Sequence, residues 1–375
     1  MTPTSKTGRH DRLSADVESQ LKAIEKADGE GEIDFGRGKT LHVSNLSKVY
    51  FPETGDTKGA LMRYYTRIWP VLQPHVDGRP LVLKRFPEGV AGPTFFQQNA
   101  GPHVPDGVRV ETVTSVEEGP KPRIIGGDLL TLLYTVQLGA IEVHPWLSRL
   151  PDLDAADRCL IDLDPGEGVS FSNVIALARD VRAIARQCAV PVALKTSGSR
   201  GIHLVIPLPP RTSYDESAQL ALLMARVVAA HRPDLATVER SKRARPDGTI
   251  YVDAMQNARG KSMACAYSVR AKDAATVSAP LREQELTTRL RPTAFTLRSM
   301  PARVSRAGDL WGDALGERAS AKTIRSALIA LEHVLDGATE GAPATKQPQR
   351  VTKRSRSGGG SNARTVSGRR RKQRA

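Results

Sequence analysis

Apolar positions recur along this chain at two periods, and the switches between them mark out its elements. Leu61, Tyr64, Tyr65, Ile68 and Leu72 fall on one helical face behind a Thr57 cap. A strand over Pro80 to Phe86 follows the Asp77-Gly78 turn, and short strands are predicted at Phe95-Phe96 and Val108 to Val113. A helix is predicted from about Asp128, then a strand from Ala140 to His144 that stops at Pro145. The second half is patterned more sharply. Cys159 to Asp164 alternates as a strand up to Pro165, and a helix capped by Ser170 or Ser172 carries Ile175, Leu177, Val181, Ile184 and Cys188. Val192 to Thr196 and Ile202 to Ile206 form a hairpin around Ser197-Gly-Ser-Arg-Gly201. Ser213 and Glu216 make a capping box for the helix holding Leu220, Leu223, Met224, Val227 and Val228. A basic loop, Lys242 to Gly248, leads into a strand from Thr249 to Met255, and a last helix spans Ala321 to Val334. Strands and helices mixed in this way predict an α/β or α+β fold.

Three segments follow. Residues 1–38 are polar, with only a short helical pattern at Val17, Leu21 and Ile24, and read as an arm. Residues 39–336 form the folded body, and residues 337–375 read as a disordered basic tail rich in Gly, Ser and Thr. The net charge of +15 lies mostly in that tail, which holds eleven Lys or Arg from Lys346 onward and no acid. Subtracting 11 from 15 leaves about +4 for the rest, so the body is only mildly basic. A basic tail suits an anionic polymer, because each neutralised phosphate releases a counterion. No apolar run is long enough to span a membrane and no secretory signal opens the chain, so a cytoplasmic, nucleoid-associated protein is expected. The three cysteines, Cys159, Cys188 and Cys265, include no Cys-x-x-Cys pair, which argues against a zinc ribbon or a disulfide framework.

The candidate chemistry sits on the strands. With a period of two, Asp162 and Asp164 leave the same face. Alone, such a pair also reads as exposed acids before a turn. Asp253, an acid on the otherwise apolar strand Ile250-Tyr-Val-Asp-Ala, changes the picture. Three carboxylates can hold two hard cations, Mg²⁺ or Mn²⁺, about 4 Å apart, an arrangement suited to nucleotidyl transfer. In Thr196-Ser-Gly-Ser-Arg-Gly-Ile-His203 the glycines let backbone N–H groups approach a phosphate, and Ser197, Arg200 and His203 offer donors. An ordinary glycine hairpin is the alternative. His144, alternating with Glu142, reads alone as a structural histidine. For Phe95 and Phe96 the sequence favours packing of both under a loop; the alternative is that one stacks on a base.

Taken in order, these motifs resemble the polymerase domain of bacterial DNA ligase D, in the archaeo-eukaryotic primase superfamily. They are Ile161-Asp-Leu-Asp-Pro165, Ser197-Gly-Ser-Arg-Gly-Ile-His203, and Tyr251-Val-Asp253 with Gln256-Asn257. Upstream, Asn45-Leu-Ser-Lys-Val-Tyr-Phe-Pro52, Thr57-Lys58, Lys84-Arg85, Phe95-Phe96 and Glu142-Val-His144 follow the same order, so the likeness covers roughly residues 40 to 312. The resemblance implies an α+β primase-polymerase fold whose mixed central sheet carries the catalytic acids, flanked by helices and smaller β elements. It implies that Asp162, Asp164 and Asp253 bind two Mn²⁺ or Mg²⁺ ions. Ser197, Arg200, His203, His144 and Lys84 would bind a nucleoside triphosphate, ribo or deoxyribo. Lys48 and Lys58 would recognise a 5′-phosphate, Phe95 or Phe96 would stack on the template, and Arg245 would help set the metal site and the template. It further implies action on DNA gaps and broken ends in non-homologous end joining, alongside Ku protein and a ligase. The chain departs from the pattern in its basic loop, which is a residue longer. Arg245-Pro-Asp-Gly248 is the nearest approach to a ligase Lys-x-Asp-Gly motif, so a stand-alone polymerase served by a separate ligase is expected. De novo priming, a non-catalytic role in DNA-end binding or synapsis, and a metal-dependent nuclease are the alternatives.

Overall fold

A computed structural model of the chain describes residues 4–115 and 119–340. Helix α1 (Thr4–Ala27) precedes the hairpin of β1 (Gly31–Asp34) and β2 (Thr40–Val43), then the pair β3 (Val49–Phe51) and β4 (Asp56–Thr57). Helix α2 (Lys58–Val76) starts where the cap predicts: the Thr57 hydroxyl accepts from the Ala60 N–H, one of the free donors of the first turn. Its predicted apolar face, Leu61, Tyr64, Tyr65, Ile68 and Leu72, is buried throughout.

The expectation of a polar arm is corrected for its described part. α1 lies along α2 with Val17 and Leu21 fully buried, and Arg63 and Arg67 of α2 pair with Glu25 and Glu18. A stripe too sparse to found a core of its own still buries well when a neighbouring helix supplies the other half of the contact.

Two sheets make the rest of the frame. The smaller has order β6-β5-β9, from β5 (Leu81–Arg85), β6 (Phe95–Gln97) and β9 (Ala140–Pro145). Between these strands lie the ribbon of β7 (Val110–Ser115) and β8 (Gly119–Ile124), and α3 (Leu129–Gln137), capped by Asp128. The larger, six-stranded sheet has order β13-β14-β10-β12-β11-β15. It is built from β10 (Arg158–Pro165), β11 (Ala193–Thr196), β12 (Ile202–Pro207), β13 (Ala236–Thr237), β14 (Ile250–Asp253) and β15 (Pro280–Leu281). Only β13 and β14 run parallel, so the sheet is mixed.

Helices α4 (Phe171–Gln187), capped by Ser170, and α5 (Tyr214–His231), with its Ser213–Glu216 box, pack against the large sheet. Along β10, Cys159, Ile161 and Leu163 are fully buried, and the Cys159 thiol reaches the Ser217 carbonyl of α5. The alternate residues, Asp162 and Asp164, are therefore left for the opposite face. α6 (Met300–Ala307), α7 (Leu310–Gly316) and α8 (Ala321–Glu340) complete the described chain, α8 against α5. Residues 337–340, expected to belong to the tail, continue α8; the rest of the tail, residues 341–375, lies outside the described residues. Among the described residues no helix is long and apolar enough to cross a membrane.

Candidate active site

Strand register brings the candidate residues together. Across β14, β10, β12 and β11 the partners read Asp253, Asp162, His203 and Lys195, one row over four strands. The row includes two of the predicted acids and the predicted histidine. Asp164 sits two pairs along, opposite Tyr251.

The turn between β11 and β12 is shaped by what its glycines must pass. A Cβ at Gly201 would lie 2.2 Å from the Leu163 carbonyl oxygen, and Gly198 adopts φ +72 against the Arg270 stem. The Ser197 hydroxyl accepts from the N–H groups of Ser199 and Gly201 and so holds the turn from within.

A cavity of about 410 Å³ opens between the two sheets. Asp162, His203 and Arg270 line one side, and His144, Val82 and Phe96 the other. Glu142 anchors the second wall: it hydrogen-bonds His144 Nε2 at 2.7 Å and Arg270 Nε at 2.9 Å, with Lys84 at 3.9 Å. Burial opposes its charge, but the hydrogen bond from His144 and the cations Arg270, His144 and Lys84 outweigh it and hold the carboxyl far below the usual range. Arg270 also donates to the Ser197 carbonyl, joining this wall to the glycine turn.

A second cavity, of about 370 Å³, lies at the end of β10 and is lined by Asp164, Arg200, Lys242 and Arg245. Arg245 approaches Asp164 at 3.4 Å and stacks over Tyr251 at 3.9 Å, while Arg200 donates to the Pro165 carbonyl at 3.0 Å. Asp162 and Asp164 thus share a strand face but front different cavities.

Electrostatics mark Asp162. Burial, then repulsion from Asp253 and Asp164, pushes its carboxyl up to about 7. His203 Nε2 lies 3.4 Å from it, and burial together with Lys195, Arg270 and His144 lowers that imidazole well below its ordinary value. Crowded carboxylates with hard oxygen donors fit a divalent cation, which would relieve their repulsion. Among the described residues no three His, Cys, Asp or Glu side chains are already closed around one point, so ions would have to draw the acids together.

The remaining predicted residues lie elsewhere. Lys48 pairs with Glu88 at 2.7 Å. Lys58 is buried and donates to the carbonyls of Ser44 and Gln137 at 3.0 and 3.1 Å; burial, then the nearby Lys48, lowers it to about 8. Phe95 and Phe96 correct the expectation of a loop-covered pair: they are 47% and 64% exposed. They sit on β6, an edge strand among the described residues, and Arg85 and Lys84 stand over their rings at 5.1 and 5.9 Å.

Sequence reading missed Arg270 and Lys195. Arg270 lies outside the motifs along the chain, and with Lys272 and Asp273 close by no spacing singled it out. Lys195, directly before Thr196, is fully buried.

The family described as LigD, primase-polymerase domain, matches residues 57–311. The multifunctional non-homologous end joining protein LigD of Mycolicibacterium smegmatis is 33% identical over 252 residues, 67% of this chain and 33% of that protein. Its Pseudomonas aeruginosa counterpart is 31% identical over 280 residues, 74% of this chain and 33% of that protein. The bifunctional LigD of Bacillus subtilis is 30% identical over 269 residues, 72% of this chain and 43% of that protein. The chain thus spans about a third of the length of the first two relatives. The polymerase domain of Mycobacterium tuberculosis ligase D, solved in complex with DNA, superposes with a TM-score of 0.69 at 31% identity, covering 74% of this chain and 99% of that one. The chain belongs to the LigD primase-polymerase domain family and has its archaeo-eukaryotic primase fold.

Proposed function

We propose that this protein is a template-directed, metal-dependent nucleotidyltransferase that fills or extends DNA ends and gaps in non-homologous end joining. The observation that carries this is the row Asp253, Asp162 and His203, in register across three strands, of which Asp162 and His203 line a cavity together with Arg270 and His144.

In this reading Asp162, Asp164 and Asp253 hold two Mg²⁺ or Mn²⁺ ions, which activate the primer hydroxyl and neutralise the triphosphate when bound. The chain's own residues do the positioning. Ser197, Arg200, His203 and Arg270 take the triphosphate, and His144, oriented by Glu142, takes the sugar. Lys84 adds positive charge at the cavity wall. Phe96, exposed at the rim, offers a face on which a template base stacks, with Phe95 beside it. Arg245, against Asp164, supports the metal site and the template strand. The substrates are nucleoside triphosphates, ribo or deoxyribo. The polymer is DNA with a gap or break, and the partners are Ku protein and a DNA ligase activity, in the cytoplasm at the nucleoid.

Lys58 favours end filling over de novo priming. Its ammonium is held by two neutral carbonyls, and among the described residues no carboxylate pairs with it. A cation so placed suits a 5′-phosphate beside Lys48, a pocket that a primase has no use for. The test is nucleotide addition to a gapped duplex with and without the 5′-phosphate. Addition favoured by the phosphate supports the proposal. Growth on a bare template without a primer would support priming, and shortening of the labelled strand would support a nuclease.

A further inference from the structure

Lys195 has no part in the proposed reaction, yet it ends the row of functional residues. It lies on β11 opposite His203 and is fully buried. Its Nζ has two partners, His203 Nδ1 at 2.5 Å and Ser278 Oγ at 2.8 Å. The Ser278 hydroxyl gives its proton to the Thr196 carbonyl at 2.8 Å, so toward Lys195 it accepts. An amino group carries at least two N–H protons in either charge state. One goes to Ser278, and another is free to go to Nδ1.

We propose that Lys195 is a positioning residue for His203: by donating to Nδ1 it fixes the imidazole tautomer with the proton on Nε2, the nitrogen that faces Asp162 and the cavity. A neutral imidazole has one donor and one acceptor nitrogen, and the partner of one decides the role of the other. With Nδ1 accepting, Nε2 donates. A triphosphate oxygen in the cavity is an acceptor and meets a hydrogen; with the tautomer reversed it would meet a lone pair. The turn that begins at Ser197 directly follows Lys195-Thr196, so the strand that sets the histidine's proton also sets the turn. The link to the nucleotide rests on the reading of His203 as a triphosphate ligand; the tautomer itself does not.

The experiment therefore has two arms. In the first, the full chain carries ¹⁵N-labelled histidine, and long-range proton–nitrogen correlation reads His203, assigned by its loss in His203→Gln. The wild type is expected to show an unprotonated Nδ1 and a protonated Nε2. Lys195→Met, close in shape, should shift His203 to the other tautomer or to a mixture, while Ser278→Ala, which keeps the Lys195–His203 contact, should not. A protonated Nδ1 in the wild type, or a tautomer unmoved by Lys195→Met, overturns the proposal, and the wild-type spectrum decides alone if the variant fails to fold. In the second arm, nucleotide addition by Lys195→Met should show KM for the triphosphate raised about tenfold, the size of one lost charge-assisted hydrogen bond, with kcat changed less. A shifted tautomer with unchanged KM overturns the link to the nucleotide. If instead the wild-type enzyme adds no nucleotide at all, the polymerase reading fails, and the first arm still tests the tautomer.

Discussion

Asp162 stands between Asp253 across one strand gap and His203 across the other, with Asp164 two residues on. A carboxyl pushed up to about 7 by burial and two like neighbours is costly to keep in the folded chain, and a catalytic metal site is where such a cost is retained. Asp162→Ala or Asp253→Ala should therefore lower nucleotide addition by about a thousandfold or more while the fold survives. Addition assays beside thermal melts check both halves, and retained activity in either variant would break the metal-ligand assignment. Lys58 makes a pH-dependent prediction. Its pKa is lowered to about 8, so it is charged below that pH and loses its charge as pH rises past it. The preference for a 5′-phosphorylated gap should hold at pH 7 and fade above about 8, and Lys58→Met should lack it throughout. Competition binding of gaps with and without the phosphate, across that range, reads the effect; a preference unchanged by pH and by substitution would remove Lys58 from the pocket.

The central elements depend on one amide at a strand end. β14 pairs with β10 only from Asp162 to Pro165, which leaves Leu160 without a strand on that side. The Asn257 side chain takes its place: Oδ1 accepts from Leu160 N–H and Nδ2 donates to the Leu160 carbonyl, both at 2.7 Å, in a buried setting. Asn257→Ala would leave both groups unpaired and should cost about 3 kcal/mol in chemical denaturation. A loss under about 0.5 kcal/mol would mean that water or another group satisfies the strand end. Caps and alternation are local signals, which is why β10, the β11–β12 hairpin, α5, the Thr57 cap and a helix start near Asp128 were legible in the sequence. What could not be read depends on partners distant in the chain. α1 buries Val17 and Leu21 only because α2 lies beside it. Phe95 and Phe96 are exposed because β6 falls at a sheet edge, a fact of strand order rather than of spacing. Arg270 and Lys195 gain meaning only when register sets them beside Ser197 and His203. The three acids were legible because period two and a polar residue in an apolar strand are visible without tertiary knowledge.

At the scale of the whole molecule, the two sheets form the walls of one cavity, and the excess charge lies largely outside it. Eleven of the basic residues fall from Lys346 onward, outside the described residues. Removing residues 341–375 should weaken DNA binding and flatten its salt dependence while leaving the chemical step intact, because phosphate contacts set that slope. Titrations at several salt concentrations measure it, and an unchanged slope would mean that the tail does not touch DNA. The central claim for the molecule is that its cavity performs metal-dependent nucleotide addition. The most direct measurement is addition to a short gapped duplex bearing a 5′-phosphate, with Mn²⁺ and either ribo- or deoxyribonucleotides, in the wild type and in Asp162→Ala. Extension that requires the metal and vanishes in the variant is expected. Tight binding of the same DNA without any extension would contradict it and point to a DNA-end-binding protein.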